Sequence, residues 1–194
     1  MKLIYFHGFG SSGATGTAEN LRNHLPELEV VAPDIPVDPV EALPYLHQFV
    51  AEQQPDLIVG TSMGAMYAQQ MFGYKKILVN PAFNMSTMSK VLKTGEHPFQ
   101  NRRKDNQKTF RITREIIQHH NMMERGQFKG ITEFDRANTY GLFGIHDTTV
   151  NTYDLFRKYY PADHAIRFDG EHRLNDKALR STVVPLIKQI LEME

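Results

Sequence analysis

The feature that most constrains the fold is a regular alternation of short apolar runs with longer stretches of helical character. The apolar runs cover residues 2–7, 29–33, 56–61, 75–80, 139–145 and 164–169. Short, continuous apolar runs are typical of parallel strands that are buried on both faces. The predicted helices cover residues 14–25, 39–54, 63–73, 151–160 and 174–193, and Pro185 should kink or split the last of them. The alternation predicts an α/β fold, with a mostly parallel, doubly wound, six-stranded sheet covered by helices on both faces.

The alternation is interrupted once, between Asn80 at the end of the fourth run and Thr139 at the start of the fifth. This gap is too long for an ordinary loop, and it contains a helical run near residues 108–125. We therefore expect a helical, cap-like insertion at about residues 84–135, over one edge of the sheet. The length of 194 residues and the hydrophobic content of 41% fit a single domain over residues 1–194 that includes this insertion.

Composition and charge exclude several classes of protein. The chain has 22 basic and 22 acidic residues, whereas a nucleic-acid-binding protein usually has a basic excess, so we expect no nucleic-acid partner. The absence of cysteine excludes disulfides, thiolate zinc sites, iron–sulfur clusters and a cysteine nucleophile. The chain enters a strand-like run without a signal segment, and no run approaches a membrane span. We expect a soluble, cytoplasmic protein with no membrane partner.

The first loop, within "IYFHGFGSSGATG" at residues 4–16, fits three kinds of site. A phosphate-binding P-loop is excluded because Ala14 follows Gly13 where that motif needs a lysine. A dinucleotide-binding loop is possible, because Gly8, Gly10 and Gly13 spell G-x-G-x-x-G after a strand and Asp34 follows at the end of the second strand. The same His-Gly sequence also resembles the loop that forms half of an oxyanion hole in a serine hydrolase.

The segment "DLIVGTSMGAMYAQQ", residues 56–70, decides between these interpretations. It places G-x-S-x-G between a predicted strand and a predicted helix, with Ser62 at the centre. A nucleophile elbow needs this context, because the serine lies on a sharp turn where side chains two residues away would collide. The sequence therefore predicts Ser62 as a nucleophile, and the alternative is a glycine-rich turn with a surface serine.

A nucleophilic serine needs a base and an acid, and both follow later strands. His172 lies in "FDGEHRLND" after the sixth apolar run, and Asp147 lies in "LFGIHDTTV" after the fifth. The order Ser62, Asp147, His172 is the order found in α/β-hydrolases, and all three positions lie at carboxyl ends of predicted parallel strands. Asp147 could instead cap a helix, since a helical run follows it. The other carboxylates near the site, Asp169, Glu171 and Asp34, are less suitably placed, and the tip of the fourth strand carries Asn80, which has no charge.

If the first loop forms part of an oxyanion hole, its role is consistent with Ser62, Asp147 and His172 as the predicted catalytic residues. The backbone N–H groups of Phe9 and Met63 are the predicted donors to the oxyanion. His7, Gly8 and Gly10 are predicted to support the loop: the glycines allow close approach to a substrate, and His7 orients the loop by hydrogen bonding. Asp34 is then expected to tie down the loop after its own strand.

The chain resembles a minimal α/β-hydrolase and, more narrowly, the small bacterial YqiA-like esterases. The resemblance rests on "IYFHGFGSS" at the start, "VGTSMGA" at the elbow, "VNPA" after the fourth strand, and "GIHDTTV" and "DGEHR" near the end. It implies hydrolysis of a small-molecule carboxylic ester or acyl thioester, with no metal and no organic cofactor. Two other functions remain open: an NAD(P)-dependent oxidoreductase that uses the G-x-G-x-x-G loop, and a hydrolase-fold protein that binds a ligand without turnover.

The insertion suggests features of the substrate. Between Lys93 and Arg136 it has ten basic and six acidic residues, so it could attract an anionic substrate such as an acyl-CoA, although a solvated helix face explains the same charges. An acyl pocket could be lined by apolar residues of the insertion, which otherwise serve as packing: Met85, Met88, Phe99, Phe110, Met122 and Met123. The pair His119 and His120 does not predict a metal site, because adjacent helical positions point apart.

Overall fold

The computed structural model describes residues 1–85 and 92–193 of the chain. The strands are β1 (Lys2–Phe6), β2 (Glu29–Val31), β3 (Leu57–Thr61), β4 (Lys76–Val79), β5 (Gly95–Pro98), β6 (Thr109–Ile112), β7 (Thr139–Gly144) and β8 (Ala165–Phe168). The helices are α1 (Gly16–His24), α2 (Pro39–Gln53), α3 (Met63–Gln69), α4 (Arg114–Gly126), α5 (Glu133–Ala137), α6 (Tyr153–Phe156), α7 (Asp176–Ala178) and α8 (Val184–Ile190).

The main sheet has six parallel strands in the order β2-β1-β3-β4-β7-β8. The six strands coincide with the six apolar runs, so the predicted α/β sheet is confirmed. Alternate residues of each strand face opposite layers, because successive side chains of a strand point to opposite faces. In β1, Ile4 and Phe6 pack with α2, α3 and α6, whereas Leu3 and Tyr5 pack with α1 and α8. Helices therefore cover both faces of the sheet.

The insertion follows β4 as predicted, but its secondary structure is only partly helical. Strands β5 and β6 form an antiparallel pair, with Gly95 opposite Ile112 and Pro98 opposite Thr109. The predicted helix over 108–125 is therefore wrong in its first third, and the helix begins at Arg114. Thr113 causes this boundary, since its extended backbone and its side chain, which accepts a hydrogen bond from the Ile116 N–H, cap the helix. The alternation of "TFRI" before it suits a strand.

The end of the insertion is anchored to the sheet by a buried ion pair. Lys76 Nζ of β4 lies 2.7 Å from Asp135 Oδ1 of α5, and both side chains are completely buried. The Lys76 ammonium also donates to the Met71 carbonyl, while the Asp135 carboxylate accepts from the Gly73 N–H. Burial raises the pKa of Asp135, but these hydrogen bonds and those from Thr132 lower it more, so its pKa lies below the ordinary value. The pair fixes one edge of the insertion.

The last two predicted helices are shorter or interrupted. Helix α6 has only four residues, where the sequence predicted a helix over 151–160. The predicted helix over 174–193 is split, as expected from Pro185: α7 is followed by a π-helical turn over Leu179–Val183, and α8 begins just before the proline. Proline is tolerated there because the first turn of a helix has no use for its missing N–H. Across the described residues, no helix combines the length and the apolar character needed to cross a bilayer.

Candidate active site

Ser62 occupies the sharp turn between β3 and α3. Its backbone has φ 54° and ψ −117°, a conformation that residues with a side chain rarely adopt. The turn is held by the Ser62 N–H, which donates to the Val79 carbonyl at 2.9 Å. A Cβ atom on Gly60 would lie 2.5 Å from the Gly64 carbonyl oxygen, and a Cβ on Gly64 would collide with the Phe6 carbonyl. Both positions therefore require glycine, for the steric reason inferred from the sequence.

Ser62, His172 and Asp147 form a continuous chain of hydrogen bonds. His172 Nε2 lies 3.0 Å from Ser62 Oγ, and His172 Nδ1 lies 2.8 Å from Asp147 Oδ2. The three residues come from loops that follow β3, β8 and β7, at the carboxyl edge of the parallel sheet. The His172 side chain is 21% exposed and that of Asp147 is 3% exposed, so the imidazole reaches solvent while the carboxylate does not.

The Asp147 carboxylate is fixed by its own loop. Its Oδ1 accepts hydrogen bonds from the N–H groups of Thr149 at 2.7 Å and Val150 at 2.9 Å, which leaves Oδ2 for His172. Burial raises the pKa of Asp147, but the hydrogen bonds from His172, Val150 and Thr149 lower it more, and its pKa lies below the ordinary value. Asp147 is therefore ionised at neutral pH. It does not cap a helix, since α6 begins after Thr152.

The other carboxylates considered from the sequence have different partners. Asp169 is exposed, and its Oδ1 lies 3.1 Å from His146 Nε2, while Glu171 points its exposed side chain away from the core. Asn80, at the tip of β4, has a role that the sequence interpretation missed. Its side-chain amide donates to the backbone carbonyls of Glu171 and His172 and accepts from the Gly144 N–H. Asn80 thus joins the His172 loop to the end of β7. The one sequence feature that could have indicated this role is its position directly after a buried strand.

His7 orients the loop after β1. Its Nε2 accepts a hydrogen bond from the Ile35 N–H at 3.0 Å, so Nδ1 carries the ring proton and donates to the Gly8 carbonyl at 2.8 Å. The Ser11 N–H also donates to that carbonyl, at 3.3 Å. The ring is 1% exposed, and burial lowers the pKa of His7 to about 4, so it is neutral at physiological pH.

These bonds also set the direction of the Phe9 N–H. The peptide between Gly8 and Phe9 is trans and planar, so its N–H points away from the carbonyl that His7 holds. Gly8 lies against Ser62, since a Cβ on Gly8 would be 3.7 Å from the Ser62 Cβ. Met63 is the first residue of α3, where an N–H has no acceptor within the helix. Among the described residues, neither the Phe9 N–H nor the Met63 N–H has a hydrogen-bond acceptor.

A segment of the insertion, residues 100–104, lies along the first loop and is called the strap below. The Gln100 N–H donates to the Gly10 carbonyl at 2.7 Å, and the Asn101 side chain donates to Ser11 Oγ at 2.8 Å. The Ser12 hydroxyl donates to the Arg102 carbonyl at 2.8 Å. The strap therefore holds the loop at residues 8–13 from the outside. Gly10 has φ +66°, and the Phe110 ring of β6 packs 3.4 Å from where its Cβ would lie.

Asp34 joins the strap to the first loop, which corrects its predicted role. Its Oδ1 accepts from the Gly13 N–H at 2.7 Å and its Oδ2 from the Lys104 N–H at 2.6 Å, so it does not tie down the loop after its own strand. Burial raises the pKa of Asp34, but these two bonds and the charge of Arg103 lower it more. Both carboxylate oxygens are engaged, and a Cβ on Gly13 would collide with the Ala32 carbonyl. The engagement of both Asp34 oxygens disfavours the dinucleotide interpretation, which needs the acidic residue at the end of the second strand to bind a ribose hydroxyl.

A cavity of about 600 Å³ opens at Ser62 and His172 and extends over the first half of α1. Of the proposed acyl-pocket residues only Met85 lines it, Met88 lies outside the described residues, and Met122 is 57% exposed. Phe99 and Phe110 pack on each other with ring centroids 4.6 Å apart, and Met123 is buried in the core. None of the basic residues between Lys93 and Arg136, all of which are described, lines the cavity.

The adjacent histidines of α4 do point apart. His119 Nδ1 lies 2.8 Å from Asp38 Oδ1, whereas His120 is completely buried beside the Phe9 ring, with its centroid 6.3 Å away. Burial lowers the pKa of His120 to about 4. In the part of the chain that the structure describes, no group of three or more His, Asp or Glu side chains could hold a metal ion.

Comparison with known proteins places this chain in a family. The model of the Uncharacterised protein family (UPF0227) matches residues 2–188. The chain belongs to the UPF0227 family. This membership confirms the resemblance to YqiA-like proteins, and the match covers the elbow, the first loop and the loops that carry Asp147 and His172.

The UPF0227 chain is also similar to solved structures of α/β-hydrolases. Mouse alpha/beta hydrolase domain-containing protein 10 matches with a TM-score of 0.69 and 13% identity, over 98% of this chain and 89% of that one. The monoacylglycerol lipase of Paleococcus ferrophilus matches with a TM-score of 0.64 and 13% identity, over 97% of this chain and 94% of that one. The thioesterase domain from the curacin biosynthetic pathway matches with a TM-score of 0.56 and 18% identity, over 98% and 90%. The UPF0227 chain therefore has the α/β-hydrolase fold, as predicted.

Proposed function

We propose that this protein is a serine hydrolase that cleaves carboxylic esters or acyl thioesters through an acyl-enzyme. The observation that carries the proposal is the chain of hydrogen bonds from Ser62 Oγ through the His172 ring to the Asp147 carboxylate, at 3.0 Å and 2.8 Å. A nucleophile, a base and a residue that orients the base are the parts that this chemistry needs. The α/β-hydrolase fold of the chain supports the same class of reaction, and similar structures include a lipase and a thioesterase.

In the first step Ser62 Oγ attacks the carbonyl carbon of the substrate, and its proton passes to His172 Nε2. The carbonyl oxygen becomes an oxyanion, which accepts hydrogen bonds from the backbone N–H groups of Phe9 and Met63. His172 then gives its proton to the leaving alcohol or thiol as the tetrahedral intermediate collapses. The product of this step is an ester between the acyl group and Ser62.

In the second step His172 removes a proton from water, and the resulting hydroxide attacks the acyl carbonyl. The same oxyanion donors act again, and the proton returns from His172 to Ser62 Oγ as the carboxylic acid leaves. Asp147 remains ionised throughout, because hydrogen bonds hold its pKa below the ordinary value. Its charge fixes the imidazole tautomer and stabilises the imidazolium form that appears in both steps.

The experiment that tests the proposal is hydrolysis of 4-nitrophenyl acetate and of a short-chain acyl thioester by the wild type and by Ser62→Ala. We expect turnover by the wild type and a loss of about 10³-fold or more in the variant, because no other group supplies the nucleophile. Turnover by Ser62→Ala at the wild-type rate would contradict the assignment of Ser62. If the wild type hydrolyses neither compound and Ser62 resists phosphonylation, the protein is a non-catalytic member of its fold.

A further inference from the structure

The cavity beside Ser62 has walls that combine polar and apolar groups. Besides Ser62, ten of its lining residues carry a hydroxyl or amide side chain, and six of these are Ser11, Thr17, Asn20, Gln100, Asn101 and Asn175. The large apolar residues are few, and Phe9 and Met85 are among them. An alkyl chain in this cavity would remove from water those of these groups that have no partner within the described part of the protein, which is unfavourable. Polar walls on this scale suit a ligand that carries its own hydroxyl groups.

The cavity walls carry few charges. Arg173 and Asp176 are its two charged residues. Asp176 is engaged on the outer side, where its carboxylate contacts His24 at 2.7 Å and Arg180 at 3.4 Å, and Arg173 lies 3.5 Å from the Gln100 side-chain oxygen. A site for a phosphate or a coenzyme A group would need a surplus of positive charge. Arg173 alone is not the cluster of basic side chains that such a ligand needs, so the cavity favours a neutral ligand.

Asn20 has hydrogen-bonding capacity to spare. It lies half-buried on the cavity side of α1, and its side-chain amide makes no hydrogen bond to any other described residue. An amide offers two donor hydrogens and one acceptor oxygen, which matches the donor and acceptor character of a hydroxyl group. Thr17, in the first turn of the same helix, adds a hydroxyl to this wall. The α1 side of the cavity thus offers an amide and a hydroxyl to the hydroxyl groups of a ligand.

We propose that the substrate is a short-chain acyl ester of a neutral, polyhydroxylated alcohol, such as a sugar acylated on a hydroxyl group. The alcohol lies over α1, between Asn20 and the strap, and the short acyl group lies beside Phe9 and Met85. The cavity volume of about 600 Å³ is within the range of small-molecule sites, about 300–1,000 Å³. This inference rests on the proposed serine hydrolase function.

The test compares two acetates that differ in their hydroxyl groups but share a six-membered ring and a primary acetate: glucose acetylated on its primary hydroxyl, and cyclohexylmethyl acetate. We expect the wild type to have a kcat/KM about tenfold or more higher for the sugar acetate, because each hydroxyl bound in place of water adds about a third of an order to a full order of magnitude. Asn20→Leu should reduce this preference several-fold, because it removes the amide that is proposed to bind the sugar hydroxyls.

Asn23→Leu is the matched control, because Asn23 lies on the same helix with its side chain exposed and outside the cavity. It should keep the full preference of the wild type. Equal or better hydrolysis of cyclohexylmethyl acetate by a wild type that turns over 4-nitrophenyl acetate would overturn the substrate class and leave the hydrolase proposal intact. The absence of turnover with all three esters, together with unlabelled Ser62, would overturn both.

Discussion

The unusual backbone conformation of Ser62 is imposed by the residues around it rather than by its own side chain. A residue with a side chain at φ 54° and ψ −117° is strained by about 1–3 kcal/mol, so the surroundings must over-determine it. The Ser62 N–H is bonded to Val79, and its carbonyl accepts from Met66 and Ala82. The consequence is a hydroxyl that projects from the turn toward His172. A sequence reveals such a serine through the glycines two residues before and after it, Gly60 and Gly64. The backbone strain at the serine has no sequence pattern of its own.

At the same scale, the hydrogen bond from His172 points to Asp147 as the acid. Asp147→Asn should lower the turnover of 4-nitrophenyl acetate by about 10³- to 10⁴-fold with little change in thermal stability, because a neutral amide can hold the wrong imidazole tautomer. Asp169→Asn is the matched control, since that carboxylate pairs with His146 at the exposed surface. Steady-state kinetics with both variants would check the assignment. Loss of activity in Asp169→Asn alone would move the acid to that residue.

At the scale of elements, the strap gives the insertion a function in shaping the site. Residues 100–104 hold the first loop through backbone and side-chain bonds, and Arg103, which is 7% exposed, donates to the carbonyls of Ser11 and Ile35. The far end of the insertion is fixed to β4 by Lys76 and Asp135. The insertion is therefore anchored at the strap and at its C-terminal end, and it supports the loop that is proposed to carry the oxyanion donor.

The role of the strap predicts an effect of Asp34→Asn on catalysis. An amide has one acceptor oxygen where the carboxylate has two, so the variant loses its bond to either Gly13 or Lys104, and the first loop is less well fixed. We expect kcat for 4-nitrophenyl acetate to fall by about tenfold, with a smaller change in KM, because the loop is proposed to carry an oxyanion donor. Asp105→Asn changes an exposed carboxylate one residue beyond the strap and should retain wild-type kcat. An equal loss in both variants would point to general loosening of the strap.

At the scale of the whole molecule, the sequence predicts those features that repeat or that obey a steric rule. The six strands of the main sheet were predictable because buried parallel strands are continuous apolar runs, and the elbow was predictable because backbone collisions require glycine. The β5–β6 pair was not, because "TFRI" continues into "TREII" without a break in apolar spacing, and only Thr113 marks the boundary. The partners of Asp34 were also hidden, since contact between the first loop and the strap depends on how a distant insertion packs.

The whole fold also predicts how stability depends on pH. Burial lowers the pKa of His7 and of His120 to about 4, whereas both histidines titrate near 6.5 in the unfolded chain. Between these values the unfolded chain binds more protons, so the stability from the neutral rings is complete above pH 6.5 and is lost as the pH falls toward 4. The free energy of unfolding should be lower at pH 5 than at pH 7.5 by about 2 kcal/mol for each ring.

Urea unfolding followed by circular dichroism at the two pH values would measure this loss. His120→Phe should remove the share of one ring, and it should fold, because the His120 ring is completely buried beside the Phe9 ring, where an aromatic side chain fits. His146→Gln is the control at an exposed histidine and should show the pH dependence of the wild type. The same pH dependence in the wild type and in His120→Phe would contradict the prediction for His120.

The central claim is that Ser62 is a nucleophile activated by His172, and active-site labelling tests it most directly. A fluorophosphonate labels an activated serine whatever the natural substrate is. Mass spectrometry of the labelled chain then identifies the modified residue. We expect one adduct per chain, located on Ser62. Ser62→Ala should form no adduct, and His172→Ala should be labelled much more slowly than the wild type. An adduct on another serine, or labelling of Ser62→Ala at the wild-type rate, would contradict the central claim.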